Sequence, residues 1–449
     1  MVGLGVPCCE GAPEDCDDFY AIRPEHQDDV PKTQFKSRPG KTLSDRKWQS
    51  AFSQDGHLDM AKVLHRIQRG GIHPSIKAVV WEFLLGCYDP NSTFEERNQL
   101  RHRRREQYEM WKSECKNVEP TIGSGRIVTT PVITEDGLTI QNLSTSDLNN
   151  EDLGTPTPDI SPRRMSRVSR FSSKNVDSVD KKVHQWKLTL HQIGLDVVRT
   201  DRSLVFYLDE ANLARLWDVL CVYAWIDDDI GYCQGMNDLC SPLVILHENE
   251  ADAFWCFEHF MRRMRGNFKT SASSIGVQSQ LSTLAEIIKV VDPKLHQHLE
   301  NLDGGEYLFA FRTLMVLFRR ELSFVDAIYL WELMWAMEYN PNLFSQYEDP
   351  SATTDKSAAP KGNDKLLKQF GKFERKNVEN GSLDQHTAFS VFLMAGVLEA
   401  KNKRLLGEAQ GLDDIVKILN DITGNLDAKK ACSEALKVHK KYLSITKNS

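Results

Sequence analysis

The sequence predicts an all-α fold of packed helical hairpins, and three observations carry this prediction. Apolar residues recur at spacings of three and four, as in Leu213, Leu216 and Leu220. No series of alternating strands and no glycine-rich hairpins are present. All nine tryptophans lie outside three polar stretches, which indicates a tryptophan-rich helical core. An apolar content of 41% and a charged content of 27% exclude collagen, a fully disordered chain and an integral membrane protein.

The same periodicity predicts the individual helices in chain order. Asp209 and Ser323 stand where N-cap residues are expected, one position before an apolar periodic stretch. Self-similarity with a period of about 33–47 residues is not evident, so a repeat solenoid is not expected. The predicted helices are 209–226, 250–265, 281–291, 305–321, 323–339, 385–401 and 428–443.

Three segments hold too little apolar surface to offset chain entropy, and we expect them to be unfolded. They are an acidic tail at 1–40 and insertions at about 116–180 and 341–376. The rest of 41–445 is expected to form one helical domain. Residues 1–30 carry eight acids and one arginine, so they account for the formal charge of −7. This charge gives no reason to expect general nucleic-acid binding.

The cysteines and the hydropathy predict a cytoplasmic protein. Ten cysteines are too sparse for a disulfide scaffold, and none form a C-x-x-C pair. No stretch resembles a signal peptide or is long enough to span a bilayer. We expect free thiols, and the clearest cases lie within apolar helical patterns at Cys221, Cys233, Cys240 and Cys256.

The first candidate site is the stretch from Ile193 to Ser203. It places Ile193, Asp196 and Arg199 three residues apart. On a helix these residues share one face, where Asp196 can hold the Arg199 guanidinium. An ordinary amphipathic helix end with an ion pair fits the same residues.

The second candidate site, Gly231–Asp238, follows a run of three acids and precedes an apolar helix. Gly231 and Gly235 let the backbone approach another surface closely. Gln234 is expected in the first turn of the helix, with Asn237 or Asp238 bonding the free N–H groups of that turn. A capped helix start is the alternative interpretation. Sequence motifs of P-loop, zinc-protease and serine-hydrolase sites are absent, so no metal or nucleotide site is expected.

Together the two stretches resemble the TBC domain of Rab GTPase-activating proteins. I-x-x-D-x-x-R is followed by Y-x-Q, with 35 positions between Arg199 and Gln234. Further similarity lies at 70–86, at 311–321 and at 330–333. The resemblance covers about 43–113 and 182–340, and it extends through the helices to about 445.

The resemblance implies a GTPase activator that acts on a GTP-bound Rab-family small GTPase and regulates vesicle trafficking. Arg199 would be an arginine finger supplied in trans, and Gln234 would orient the attacking water. Asp196 would position Arg199, while Tyr232 and Asp238 would hold the glutamine loop and contact the partner. The chain would not be an enzyme by itself: GTP and Mg²⁺ belong to the partner, and no cofactor is expected. Endomembrane recruitment would occur through the Rab. The remaining supporting residues are Ile193, Gly231, Gly235 and Asn237.

One position departs from the family pattern. The first family motif is R-x-x-x-W, whereas this chain has Lys77 four residues before Trp81. Lysine keeps the charge but not the planar, five-donor fork of arginine. The resemblance implies a structural role for this position, and we expect Trp81 in the core.

The stretch 155–170 suggests regulation by phosphorylation. Thr155, Thr157 and Ser161 each precede proline, and Ser166 follows two arginines. These are candidate phosphorylation sites in an insertion that precedes the Arg199 helix. A passive serine-rich loop is the alternative.

Two other functions remain open from the sequence. The chain could be a non-catalytic Rab-binding scaffold or adaptor. The presence of both Arg199 and Gln234 argues against this alternative, because such a protein has no need for both. It could also be a helical interaction protein unrelated to GTPases. Stimulated GTP hydrolysis would separate both alternatives from the activator.

Overall fold

The computed structural model describes residues 19–129, 174–271, 274–348, 364–380 and 387–447. Its architecture is a set of packed helices, as predicted. The β-structure in the described ranges includes one antiparallel pair of two-residue strands, β1 Thr270–Ser271 and β2 Ser274–Ile275. The α-helices, in chain order, are α1 Asp45–Gln49, α2 Met60–Gly70, α3 Lys77–Leu84, α4 Phe94–Val118, α5 Lys174–Val197, α6 Glu210–Ile226, α7 Met236–Leu246, α8 Glu250–Phe268, α9 Gly276–Val291, α10 Pro293–Asn301, α11 Phe311–Met315, α12 Phe324–Glu338, α13 Leu343–Glu348, α14 Asp364–Leu367, α15 Lys372–Asn380, α16 Phe389–Glu408, α17 Leu412–Asn420 and α18 Ala428–Thr446.

Both predicted N-caps are present. The Asp209 side chain accepts a hydrogen bond from the backbone N–H of Ala211 at the start of α6. Ser323 accepts from the N–H of Asp326 at the start of α12. Each cap satisfies an N–H group that has no partner within its helix, which fixes where these two helices begin.

Helix α12 lies at the centre of the core. Its residues are buried without interruption from 325 to 337, as expected of a helix that is apolar on every side. Trp331 and Trp335 pack against Phe260 of α8 at centroid distances of 5.3 and 5.2 Å, and Trp81 of α3 meets Trp335 edge to face at 4.8 Å. The tryptophans therefore join three helices, and the prediction that Trp81 is a core residue is confirmed.

A fully buried ion pair joins α3 to α12. Lys77 Nζ lies 2.5 Å from Glu332 Oε1, and both side chains are wholly inaccessible. The same carboxylate accepts from Trp81 Nε1 at 3.1 Å and from the Ile72 N–H at 3.3 Å. Burial raises the pKa of Glu332, and the nearby ammonium opposes that rise. Lys77 thus has the structural role expected for its position.

Three consecutive helices support the segments that carry Arg199 and Gln234. Helix α6 packs against α5 on one side and against α7 on the other, and α7 also packs against α8. Trp186 and Trp217 donate their indole N–H groups to the backbone oxygens of Cys221 and Leu190, which locks α5 to α6. The end of α5 and the start of α7 are therefore held by the same helix.

The prediction of a helix at 305–321 is wrong over most of its length. Only a 3₁₀ turn, Leu308–Ala310, and the short α11 form there. Leu317 and Phe318 have φ values of 50° and 60°, outside the helical region, and both are buried. Trp331 Nε1 donates to the Leu317 oxygen at 2.9 Å. Tertiary packing overrides the apolar periodicity of this stretch.

The prediction of an unfolded acidic tail at 1–40 includes residues that are in fact packed on the helices. Residues 19–35, which we call the strap, lie against the helices, and Tyr20 and Phe35 are buried. The backbone N–H groups of Gln34 and Phe35 donate to the two carboxylate oxygens of Asp326, at 2.8 and 2.7 Å. A few apolar side chains and one buried carboxylate suffice to fix a segment whose composition is otherwise polar.

The boundaries of the two predicted insertions also change. Ile122 is fully buried, and the Gly123 N–H donates to Asp218 of α6, so the chain is packed beyond residue 116. Helices α13 and α14 fall within the predicted insertion at 341–376 and α15 begins in it, and Phe370 and Phe373 are buried there. The candidate phosphorylation sites Thr155, Thr157, Ser161 and Ser166 lie outside the described residues.

The described residues also bear on the cysteines and on membrane insertion. Cys221, Cys240 and Cys256 are buried free thiols, and Cys233 is a half-buried free thiol. In the same part of the chain, no helix combines the length and the apolarity that crossing a bilayer requires.

Removing one partner of the Lys77–Glu332 pair should destabilise the fold strongly. Lys77→Met leaves a buried carboxylate without its counter-charge, so we expect the free energy of unfolding to fall by about 3–5 kcal/mol. Urea denaturation measures this loss. The control is Lys77→Met/Glu332→Gln, in which no charge remains and the glutamine oxygen can still accept from Trp81. An equal loss in the single and double variants would contradict the interpretation.

Candidate functional site

Arg199 lies two residues beyond the end of α5 rather than on the helix itself. Ile193 and Asp196 are fully buried on the last turns of α5. The Arg199 guanidinium pairs with Asp196 Oδ1, while 53% of the arginine side chain remains exposed. The predicted ion pair is therefore present, and it holds an exposed cation at a helix end against a buried anion.

Gln234 occupies a turn that ends just before α7. It is exposed, and it precedes the helix instead of lying in its first turn as predicted. Gly235 has a φ of 104°, and a Cβ atom there would lie 3.1 Å from Val316 Cγ1. Both conformation and space thus favour glycine after the glutamine. Gly231 also has a positive φ, 63°, at the start of the loop.

A closed ring of buried polar contacts connects the Arg199 segment to the Gln234 loop. The Tyr232 hydroxyl donates to Asp196 Oδ2 at 2.7 Å and lies 3.2 Å from Asn237 Oδ1. Asn237 Nδ2 donates to Thr200 Oγ1 at 2.9 Å, and the Thr200 hydroxyl donates to the Asp196 backbone oxygen at 2.7 Å. All of these residues except Arg199 are buried. The ring fixes the two backbone segments relative to each other.

Two further hydrogen bonds attach the ring to the Gln234 loop and to α5. Asn237 Oδ1 accepts from the Gly235 N–H at 3.0 Å, which satisfies a backbone donor at the start of α7 as the sequence predicted. Gln192 Nε2 donates to Asp196 Oδ1 at 3.2 Å. Burial raises the pKa of Tyr232 well above its usual value, and the Asp196 carboxylate adds to the rise. The tyrosine is therefore a neutral donor at physiological pH.

Two further ion pairs support the segment that follows Arg199 and the start of α7. Asp201, with a φ of 45°, pairs with Arg319 and accepts from the Ser241 hydroxyl at 2.6 Å. Asp238 pairs with Arg320 at 2.6 Å. Burial raises the pKa of Asp238, and Arg320 opposes the rise. Asp238 thus braces the start of α7, in keeping with the expectation that it holds the glutamine loop, and its contact with the partner stays a prediction.

Sequence reasoning missed several members of this site. Thr200 and Asp201 directly follow Arg199, and their side chains hydrogen-bond to residues of α5 or α7. Arg319 lies in a stretch whose predicted helix does not form. The only sequence signal was the polar composition of the residues after Arg199, which does not reveal their partners. Within the described residues, no group of three or more histidine, cysteine or acidic side chains is arranged to hold a metal ion.

Comparisons with known proteins identify relatives of the chain. The family model of the Rab-GTPase-TBC domain matches residues 156–346. Rab GTPase-activating protein 22 of Arabidopsis thaliana is 31% identical over 366 residues, covering 66% of this chain and 66% of that protein. TBC1 domain family member 17 of Homo sapiens is 30% identical over 307 residues, covering 68% and 38%. The GTPase-activating protein GYP7 of Saccharomyces cerevisiae is 25% identical, covering 89% and 45%.

A structural comparison supports the same assignment at the level of fold. The chain resembles the crystal structure of the Ypt/Rab-GAP domain of Gyp1p with a TM-score of 0.55 and 18% identity, covering 88% of this chain and 98% of that one. The chain spans 38% to 66% of the length of the three sequence relatives named above. The family model, the sequence relatives and the shared fold together show that this chain belongs to the Rab-GTPase-TBC domain family.

Proposed function

We propose that this chain is a GTPase-activating protein for a Rab-family small GTPase and supplies Arg199 and Gln234 in trans. The observation that carries the proposal is the buried ring through Asp196, Tyr232 and Asn237, which holds both segments and leaves both side chains exposed. The names of the relatives from Arabidopsis and yeast, which describe GTPase activation, support the same function. The partner would be in its GTP-bound state and would bring GTP and Mg²⁺.

Arg199 suits the stabilisation of a transferring phosphoryl group. A guanidinium has five N–H donors, and the contact with Asp196 engages Nη2. The remaining donors can bridge phosphate oxygens as charge develops in the transition state. Because Asp196 and the end of α5 are buried, the guanidinium is held in place before the partner arrives, which lowers the ordering cost of catalysis.

Gln234 suits the orientation of the attacking water. Its amide oxygen can accept a hydrogen bond from water while its NH₂ group donates to a phosphate oxygen. The rigid Gly235 turn and the Asn237 cap fix the backbone from which this side chain projects. A scaffold that only binds a Rab would not require an exposed glutamine and arginine on two braced segments.

We expect the protein to act from the cytoplasm on endomembranes, to which its Rab partner recruits it, and to regulate vesicle trafficking.

Arg199→Ala should abolish most of the stimulation. Loss of an arginine finger costs about 10³–10⁵ in the rate of GTP hydrolysis, and we expect a loss in this range for kcat. The fold should persist because the guanidinium is half exposed. Phosphate release from a panel of GTP-loaded Rabs measures the effect, and Arg199→Lys, which keeps the charge but not the fork, should recover little. Stimulation by Arg199→Ala equal to wild type would refute the mechanism.

Gln234→Ala should give a smaller defect in the same assay. A positioned proton-transfer or water-orienting group contributes about 10²–10⁴ to the rate, and we expect a loss near the lower limit. Binding of the GTP-bound Rab should be preserved, because the backbone of the loop is held by Asn237 rather than by the glutamine. If this variant binds the Rab normally and is fully active, Gln234 has no catalytic role.

Tyr232→Phe tests the ring itself. The variant removes a hydrogen bond to a buried carboxylate, which should lower the free energy of unfolding by about 1.5–3 kcal/mol. We also expect kcat for stimulated hydrolysis to fall about tenfold, since the Asp196 carboxylate loses its direct bond to the glutamine loop and only the link through Thr200 and Asn237 remains. The matched control is Tyr108→Phe, which removes a buried tyrosine–carboxylate bond to Glu250 between α4 and α8. Equal kcat losses in both variants would show that the effect is a general consequence of destabilisation.

A further inference from the structure

The strap pairs directly with the loop that follows Arg199. The Arg23 N–H donates to the Ser203 oxygen at 2.7 Å, and the Val205 N–H donates to the Ala21 oxygen at 2.8 Å. These two bonds flank an antiparallel bridge between Ile22 and Leu204. The residues they fix are four to six positions beyond Arg199 in the chain.

The same loop is also held by side chains. Asp201 has the positive φ noted above, pairs with Arg319 and accepts from Ser241 of α7. Arg319 is itself buried and lies over the Phe324 ring at 5.0 Å. The loop between Arg199 and Val205 is therefore held both by this cluster and by the backbone of the strap.

The strap is anchored to the core at a second point. Asp326 binds the N–H groups of Gln34 and Phe35, and Phe35 packs on Tyr329 at a centroid distance of 4.2 Å. Between the two attachments, a cavity of about 260 Å³ lies between the strap and the helices. Its walls include Ile22 and Val30 of the strap, and Asp201, Asp238, Arg319 and Arg320. The strap thus bridges from α12 to the Arg199 loop, and both ion pairs that brace the candidate site line the cavity that it borders.

We propose that the strap is a positioning element for Arg199: it completes the support of the arginine loop, although it lies outside residues 156–346 that the family model matches. The inference rests on the proposed function. An arginine that stabilises a transition state contributes fully only when its backbone is held in the productive geometry. Strands paired at a single bridge gain stability only together with side-chain packing, and here the Tyr20 ring packs on Phe324 at 5.1 Å.

The sharpest test replaces one backbone donor of the strap by a group that cannot donate and that occupies the position of the hydrogen atom. Arg23 has φ −60° and ψ 135°, which are the angles that proline adopts. Arg23→Pro in the full chain therefore deletes the bond to the Ser203 oxygen and brings the proline Cδ against that oxygen, so the strap and the loop must separate at this point while the φ and ψ of residue 23 stay allowed. We expect kcat for Rab GTP hydrolysis to fall about three- to tenfold, the effect of one hydrogen bond, with KM little changed. The melting temperature should stay within about 4 °C of wild type.

Two companion variants make the test specific. Arg23→Ala retains the N–H and loses only the side-chain contacts to the Arg202 oxygen and Glu25, so its kcat should fall less than that of Arg23→Pro. Tyr20→Ala/Arg23→Pro also removes the ring packing and should lower kcat further. Hydrogen exchange at the Val205 amide, which donates to the strap, reports release of the loop independently of any GTPase.

The outcomes are distinct. Faster exchange at Val205 together with a lower kcat and nearly unchanged KM supports the proposal. Faster exchange with unchanged kcat in the double variant overturns it, as does unchanged exchange in that variant. A kcat loss that only follows the unfolded fraction in thermal melts also overturns it. If wild type stimulates no Rab in the panel, the proposed function fails instead, and the exchange data still decide whether the strap holds the loop.

Discussion

The buried carboxylate of Asp196 is the constraint on which the candidate site depends. A buried carboxylate must be surrounded by donors, because an unpaired one would cost several kcal/mol. Its donors come from three places: Arg199 beyond α5, Gln192 within α5 and Tyr232 in the Gln234 loop. Satisfying one anion therefore brings together two segments that are 35 positions apart in sequence, and it leaves the arginine and the glutamine facing outward.

Elsewhere in the structure, buried carboxylates also accept hydrogen bonds from separate segments of the chain. Glu332 of the central helix α12 collects donors from Ile72, Lys77 and Trp81, and so joins α3 to the core. Asp326, two turns earlier on α12, collects two N–H groups of the strap. Because removal of any one donor leaves a buried charge partly unsatisfied, these contacts are geometrically demanding as well as stabilising. Helix α12 thus supports the site indirectly, through the strap and through the tryptophan core.

The candidate site was predictable to different degrees at its different residues. Arg199, Gln234 and Asp196 were identifiable because their spacing matches a family motif, and the structure places Asp196 against the arginine. The residues that support these three were not identifiable from the sequence. Thr200, Asp201 and Arg319 lie in polar or apparently helical sequence, and their roles come from contacts with α5, α7 and the strap. Asp238 was expected to hold the glutamine loop, and the residue with which it pairs, Arg320, is visible only in the fold.

Local sequence patterns were sufficient to predict the helical class, the N-caps at Asp209 and Ser323, and the burial of six of the nine tryptophans, because these follow from local periodicity and local hydrogen bonding. Only the tertiary structure decided that residues 19–35 pack as a strap and that 305–321 leaves the helical path at Leu317 and Phe318. Each of these outcomes depends on a partner outside the segment itself, Asp326 for the strap and Trp331 for the turn. A local pattern contains no information about such partners, since their free energy appears only when the helices are assembled.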